Sequence, residues 1–153
     1  MATVTSTIHA AMNAFGDGML ARANIISAKV QVSTGYLGGD SAAKESIQLT
    51  DVTPATQEWG LIGNRRRNEE YTLNGLIWVL KAGKNETVIR LARARAFELL
   101  AEVEDFLRVD PTIASTTLVS ELASYPLDQG ANQEGRWAQI DFAIACKKDL
   151  RSS

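Results

Sequence analysis

The chain is poor in the residues that carry most protein chemistry. Among 153 residues there is one cysteine, Cys146, and one histidine, His9. A single cysteine excludes an intrachain disulfide and a cysteine-based zinc site. A lone histidine lacks metal co-ligands and cannot complete a Ser–His–Asp or Cys–His set by itself. No serine sits in a nucleophile-elbow context. The glycine loop Gly35-Tyr36-Leu37-Gly38-Gly39-Asp40-Ser41 is followed by no Gly-Lys-Ser/Thr, so it is not a phosphate loop. No apolar run approaches the roughly 20 residues that span a bilayer. The opening MATVTSTIHAAMNAFGDGML has neither a basic n-region nor a sustained apolar core, unlike a secretion signal. Neither sign of charge dominates: 16 Lys and Arg stand against 18 Asp and Glu, a formal net charge of -2. That balance argues against chain-wide nucleic-acid or membrane binding and leaves room only for a local basic patch. Together these absences point away from catalysis, cofactors and metals, and toward a protein made and used in a cytoplasm.

What is present describes one globular domain, 1–153, with 45% hydrophobic and 22% charged residues. Val4, Ile8, Ala11, Met12, Phe15 and Met19 recur at helical spacing and predict an amphipathic helix over 3–20, capped by Thr3 or Thr5 and loosened at Gly16-Asp17-Gly18. From Ile26 the period becomes two: Ile26, Ala28, Val30 and Val32 predict a half-buried strand. A flexible loop over 35–44 follows, carrying Tyr36 and Leu37, and reads as a surface or contact loop. Glu45–Val52 and Ala55–Ile62 read as two short strands around Thr53-Pro54, the second anchored by Trp59. Glu69–Lys81 is a long strand, apolar on both sides near Trp78, so it should be central and covered on both faces. Gly75 within it marks a bulge or a close backbone approach.

Asn85 should cap a helix from 86 to 108, with Glu86 favourably placed in its first turn. At about 1.5 Å per residue this helix is roughly 34 Å long and should lie across the sheet. Val88, Leu91, Ala92, Leu99, Val103, Phe106 and Leu107 form its apolar stripe, with Glu98, Glu102 and Asp105 mostly away from it. Glu86–Arg90 and Glu104–Arg108 are i,i+4 pairs, and Pro111 ends the helical region. Thr116–Leu127 and Trp137–Lys147 read as closing strands around a polar loop, Asp128–Gly135. In the second, Ala138, Ile140, Phe142, Ile144 and Cys146 share one face, which makes Cys146 a small buried hydrophobe. The tail 149–153 should fray. The fold class is α+β, a mostly antiparallel sheet packed by one long helix and an N-terminal helix.

The sharpest charged feature is Arg65-Arg66-Arg67, followed at once by Glu69-Glu70. Such a run can be a solvated turn with local ion pairs, or an intersubunit salt-bridge set, with direct DNA contact a weaker reading. Carboxylate pairs such as Glu69-Glu70 fall mostly on faces expected to be solvated, so they make poor acid–base machinery.

The segments WGLIGNRRRNEEYTLNGLIWV, ETVIRLARARAFELLAEVEDFLRVDPTI and GRWAQIDFAIAC, in this order of elements, resemble the tail terminator (tail completion) proteins of long-tailed phages over most of Ile26–Lys147. The resemblance implies a virion structural protein. Six copies would form a ring at the head-proximal end of the tail, capping the tube, stopping its polymerisation and meeting the head–tail connector or stopper. The partners implied are the chain itself, the major tail tube protein and the connector, and DNA passes through the lumen without specific binding. The family has no catalytic residues, so only regions carry over as subunit or tube interface: Tyr36, Leu37, Gly38, Gly39 and Asp40 in the loop, and Arg65, Arg66 and Arg67. An acidic helix face of Glu98, Glu102 and Asp105 could answer those arginines across a heterologous contact. The alternatives are another neck or tail protein, such as a head–tail stopper or tube subunit, a small ligand-binding domain, or an independent nucleic-acid binder. The second needs a pocket with convergent polar groups, and the third a salt-dependent DNA affinity.

Overall fold

The computed structural model describes residues 6–35, 44–61, 66–117 and 119–151, without the side chains of 54–61, 66–68 and 149–151. The elements in order are α1 (Ile8–Leu20), α2 (Ala23–Ala28), β1 (Gln31–Ser33), β2 (Glu45–Leu61), β3 (Arg66–Lys81), α3 (Glu86–Val109), β4 (Val119–Ser124), β5 (Leu127–Asn132) and β6 (Gly135–Arg151). The strands form one six-stranded sheet in the order β1-β2-β3-β6-β4, with β5 also paired to β6. Only β1–β2 is parallel. All other pairings are antiparallel. This is the expected α+β architecture, with β3 central and α3 packed on β3 and β6.

Period-two alternation selects the two faces of the sheet. Tyr71, Leu73, Ile77 and Val79 of β3 point to the helical side with Ala138, Ile140, Phe142, Ile144 and Cys146 of β6, and all are buried. The helices meet them with Phe15 and Met19 of α1 and with Ala96, Leu99 and Val103 of α3. Phe15 joins the layers, with its ring 5.7 Å edge-on from Phe106 and 6.2 Å from Phe142. Helix α1 runs unbroken through Gly16-Asp17-Gly18, because Gly18 leaves room for Phe106: a Cβ there would lie 2.2 Å from its ring. Asn85 caps α3 as expected, its side chain accepting from the Val88 N–H at 3.0 Å. Both i,i+4 pairs form, Glu86–Arg90 and Glu104–Arg108.

Several local expectations are corrected. The segment around Ile26 is helix α2, not strand. Lys29 takes a left-handed conformation (φ 56°) that closes the helix, and β1 keeps only three residues. Ile26 and Ala28 are exposed on this helix and Ile25 is its buried residue, so only Val30 and Val32, beyond the helix, face the core as the alternation suggested. Residues 45–61 form one strand rather than two, because irregularities absorb the interruptions: one of them, between Thr53 and Thr56, contains Pro54, where a missing N–H leaves the rest of the ladder intact. Asp128–Gly135 is not a loop. β5 occupies Leu127–Asn132, and the turn to β6 is held by Asn132 Oδ1, which accepts from the N–H groups of Glu134 and Gly135. β6 stays paired with β3 as far as Arg151, beyond the point where the tail was expected to fray. Finally, the Trp78 side of β3 is half-exposed rather than covered by a second layer: Thr72, Asn74, Leu76 and Trp78 all face outward.

Candidate interaction surface

The face of the sheet away from the helices can be mapped from strand register into six cross-strand rows, on which Ser46, Gln48 and Leu80 are buried and the other described side chains at least partly exposed. The first is Gly130, Trp137 and Leu80. The second is Asp128, Gln139, Trp78, Ser46 and Gln31, and the third is Asp141, Leu76, Gln48 and Ser33. Then come Ser124, Ala143, Asn74 and Asp51; Glu121, Ala145, Thr72 and Thr53; and Val119, Lys147, Glu70 and Thr56. Five carboxylates and one ammonium thus share these rows, and Lys147 is already 3.0 Å from Glu70. Asp141 and Asp51 accept from Gln139 and Asn74 on the same face, which leaves their charge facing solvent.

At one end of this face Trp78 and Trp137 stack, with centroids 5.0 Å apart and planes 25° off parallel. Trp137 lies directly over Gly130, where a Cβ would stand 2.3 Å from the indole. Cations gather at the same end of the strands, with Lys81 and Arg136 on the helical side, in parity with Val79 and Ala138. Lys81 and Arg136 are cross-strand neighbours, Lys84 follows β3, Lys44 precedes β2, and Arg136 donates to the Lys84 carbonyl. A concavity of about 380 Å³ opens there, lined by Lys29, Lys44, Lys81 and Leu80 among others. Glu45 is the carboxylate beside these lysines. It is taken by Arg95 at 2.8 Å and Lys81 at 3.6 Å, and Arg95 holds Glu98 at 2.9 Å as well.

The residues singled out in the sequence are distributed as follows. Tyr36, Leu37, Gly38, Gly39, Asp40 and Arg65 lie outside the described residues. Arg66 and Arg67 open β3 as paired strand positions rather than a turn, opposite Leu61 and Trp59 on one side and Arg151 and Leu150 on the other. Glu98 and Asp105 stand exposed on α3. Glu102 does not: it accepts from Arg22 and Asn24, which tie α3 to the α1–α2 corner. The Asn24 amide, followed by Arg22, holds its carboxyl below the usual range.

Three features escaped the sequence reading. Glu69 is fully buried, not solvated, and accepts from the backbone N–H and hydroxyl of Thr7 at 2.8 and 2.9 Å. It thereby caps α1 from the sheet, at the end where a helix favours negative charge. Tyr71 shares the Thr7 hydroxyl at 3.0 Å, and burial pushes its phenol up to about 12. The signal for Glu69 was its parity with Tyr71 and Leu73. The Trp pair was legible in the same way, since Trp137 has the opposite parity to buried Ala138. The lysine cluster had no sequence signal, because four separate segments supply it.

Among the described residues no group of three or more His, Cys, Asp or Glu side chains could hold a metal ion, and no helix is long and apolar enough to cross a membrane. His9 is exposed, with Asn13 as its partner at 3.2 Å. Cys146 is buried, and desolvation pushes its thiol up to about 12. A second concavity of about 510 Å³ lies on the open face between Glu70, Glu121 and Lys147.

No protein-family model matches the chain, and no curated protein is similar to it in sequence. In three dimensions it is similar to a chain of the virion of a native gene transfer agent particle. That match has a TM-score of 0.56 at 9% identity and covers 97% of this chain and 100% of the other. The likeness is one of fold, and it runs end to end.

Proposed function

We propose that this chain is a structural protein of a phage-like virion, with an assembly role and no catalytic one, and that it acts as the tail terminator. Six copies form a ring on the head-proximal end of the tail tube, stop its polymerisation and meet the head–tail connector. The observation that carries the reading is the whole-length fold likeness to a virion component, with neither chain leaving a domain unmatched. The sequence resemblance of the β3, α3 and β6 segments to tail terminators supplies the finer assignment.

Two physical features support it. The subunit has dissimilar faces, a helical layer and a largely polar sheet face, as a heterologous ring contact requires. That sheet face carries five carboxylates against one ammonium in its six rows. Such a surface suits a wall along which DNA slides, because a basic wall would take up phosphate and release counterions.

The reading is tested by adding the purified chain to tube subunits as they polymerise. A terminator arrests elongation and is found at one end of shortened tubes. Incorporation along the tube, or elongation that proceeds unchanged, favours a tube subunit or a head–tail stopper instead.

A further inference from the structure

The concavity of about 380 Å³ lies where the end of α2, the start of β2 and the end of β3 meet, and three of its lining residues are lysines: Lys29, Lys44 and Lys81. The carboxylate in the lining, Glu45, is already engaged. Arg95 holds both of its oxygens, at 2.8 and 3.1 Å, and Lys81 lies 3.6 Å away. Among the described residues no carboxylate pairs with Lys29 or Lys44. A chain of formal net charge -2 thus concentrates uncompensated ammonium groups in one concave place.

The three lysines stand on fixed backbone. The Leu80 N–H donates to the Lys44 carbonyl at 2.8 Å, closing β2 against β3. Lys81 is held in the β3–β6 ladder. Lys29 closes α2 in a left-handed conformation, φ 56°, with its N–H on the Ile26 carbonyl at 3.1 Å. Glycine is the favoured residue at that position of a helix end, and a side chain there costs conformational energy. Lys29 is exposed and makes no ion pair among the described residues, so the fold gains nothing visible from it. Local costs of this kind collect where a surface has a use beyond folding.

We propose that this concavity binds a phosphate dianion, with Lys29 and Lys44 as its free cations and Lys81 shared with Glu45. Each ammonium acts as a point charge with three rotatable donors, which suits a tetrahedral group approached from several sides. A dianion also gains about twice the attraction of a carboxylate from each cation. The chemistry is common to free phosphate and to a terminal phosphate monoester. The acidic sheet face does not oppose it: by register Asp128 and Asp141 lie three and two strands from β2, roughly 14 and 10 Å at ordinary strand spacing. Both separations exceed the screening length of about 8 Å at physiological salt. The site is independent of the ring reading and serves a monomer equally well.

The test is isothermal titration calorimetry of the full chain with inorganic phosphate, near neutral pH and at fixed ionic strength. The wild type should bind saturably, and K29G and K44Q should each bind at least about fivefold more weakly. K29G should also melt above the wild type in phosphate-free buffer, because glycine relieves the left-handed position. Higher stability with weaker binding separates a ligand role from a structural one. Phosphate taken up equally by the wild type and both variants, or no saturable uptake by the wild type, overturns the site. An oligonucleotide with a 5′-phosphate, compared with the same oligonucleotide lacking it, distinguishes the sources: a preference for the first that both variants lose assigns a terminal monoester, and binding of inorganic phosphate alone assigns the free ion. A glutamate-rich peptide that binds where phosphate does not overturns the assignment and gives the lysines to a protein carboxylate.

Discussion

Glu69 carries more of the fold than its place in a charged run suggests. Its carboxylate supplies the acceptor for the first free N–H of α1 from a strand 62 residues away. Replacing it with alanine leaves the Thr7 N–H and hydroxyl without that acceptor in a buried site, a loss of about 1–3 kcal/mol. Urea unfolding should show a lowered midpoint for Glu69→Ala and a smaller drop for Glu69→Gln, whose amide oxygen still accepts. Equal, negligible shifts would remove the cap from the account. Cys146 gives a second test at this scale. With its thiol pushed up to about 12 by burial, it is neutral near pH 8 and should not react with an aromatic disulfide until urea unfolds the chain. Rapid labelling of the folded protein would contradict the placement of β6. Both residues were readable by parity, yet only Cys146 was read correctly, because its neighbours alternate without interruption. Glu69 was masked by the charges flanking it, Arg66, Arg67 and Glu70.

At the scale of elements, α3 is fixed at both ends by side chains. Asn85→Ala should cost about 1 kcal/mol through loss of the Val88 cap, measurable by thermal or urea denaturation. At the other end, Asp110 accepts from the Thr112 hydroxyl and the N–H groups of Thr112 and Ala114. This organises a turn in which Ile113, Ala114 and Ser115 all have positive φ. The Thr112 hydroxyl, followed by the Ala114 N–H, holds the Asp110 carboxyl below its ordinary value. A depressed carboxyl contributes stability that is present above its unfolded pKa, about 3.9, and is lost as pH falls through the folded value. The Glu102 carboxyl, lowered by Asn24 and Arg22, acts in the same direction. Asp110→Asn should therefore flatten the loss of stability below about pH 4, whereas an unchanged acid profile would argue against the shift. Gly75 is the close approach expected of it: a Cβ would stand 2.5 Å from the Gln48 carbonyl oxygen and 2.4 Å from the Phe142 ring. Gly75→Ala should destabilise by about 1–3 kcal/mol, since one of the two neighbours is backbone.

For the molecule as a whole, the sequence made the helical layer and the central strands legible, because long amphipathic or alternating runs dominate β3, α3 and β6. It hid whatever depends on a single residue's backbone or on several segments meeting. Lys29 turned a strand pattern into a helix end, and Asn132 turned an apparent loop into a hairpin. The basic end draws on Lys29, Lys44, Lys81, Lys84 and Arg136, which become neighbours only once the sheet is paired. The acidic sheet face likewise emerges from register, not from any one stretch of sequence. Those surfaces make the case for assembly, and a ring states how a subunit with two dissimilar patches can close on itself. The most direct measurement is negative-stain electron microscopy of the purified chain, alone and mixed with tail tubes. The account predicts closed rings with six-fold averages, seated at one tube end. Open filaments of the chain, or tubes whose ends stay bare beside free monomer, would contradict it.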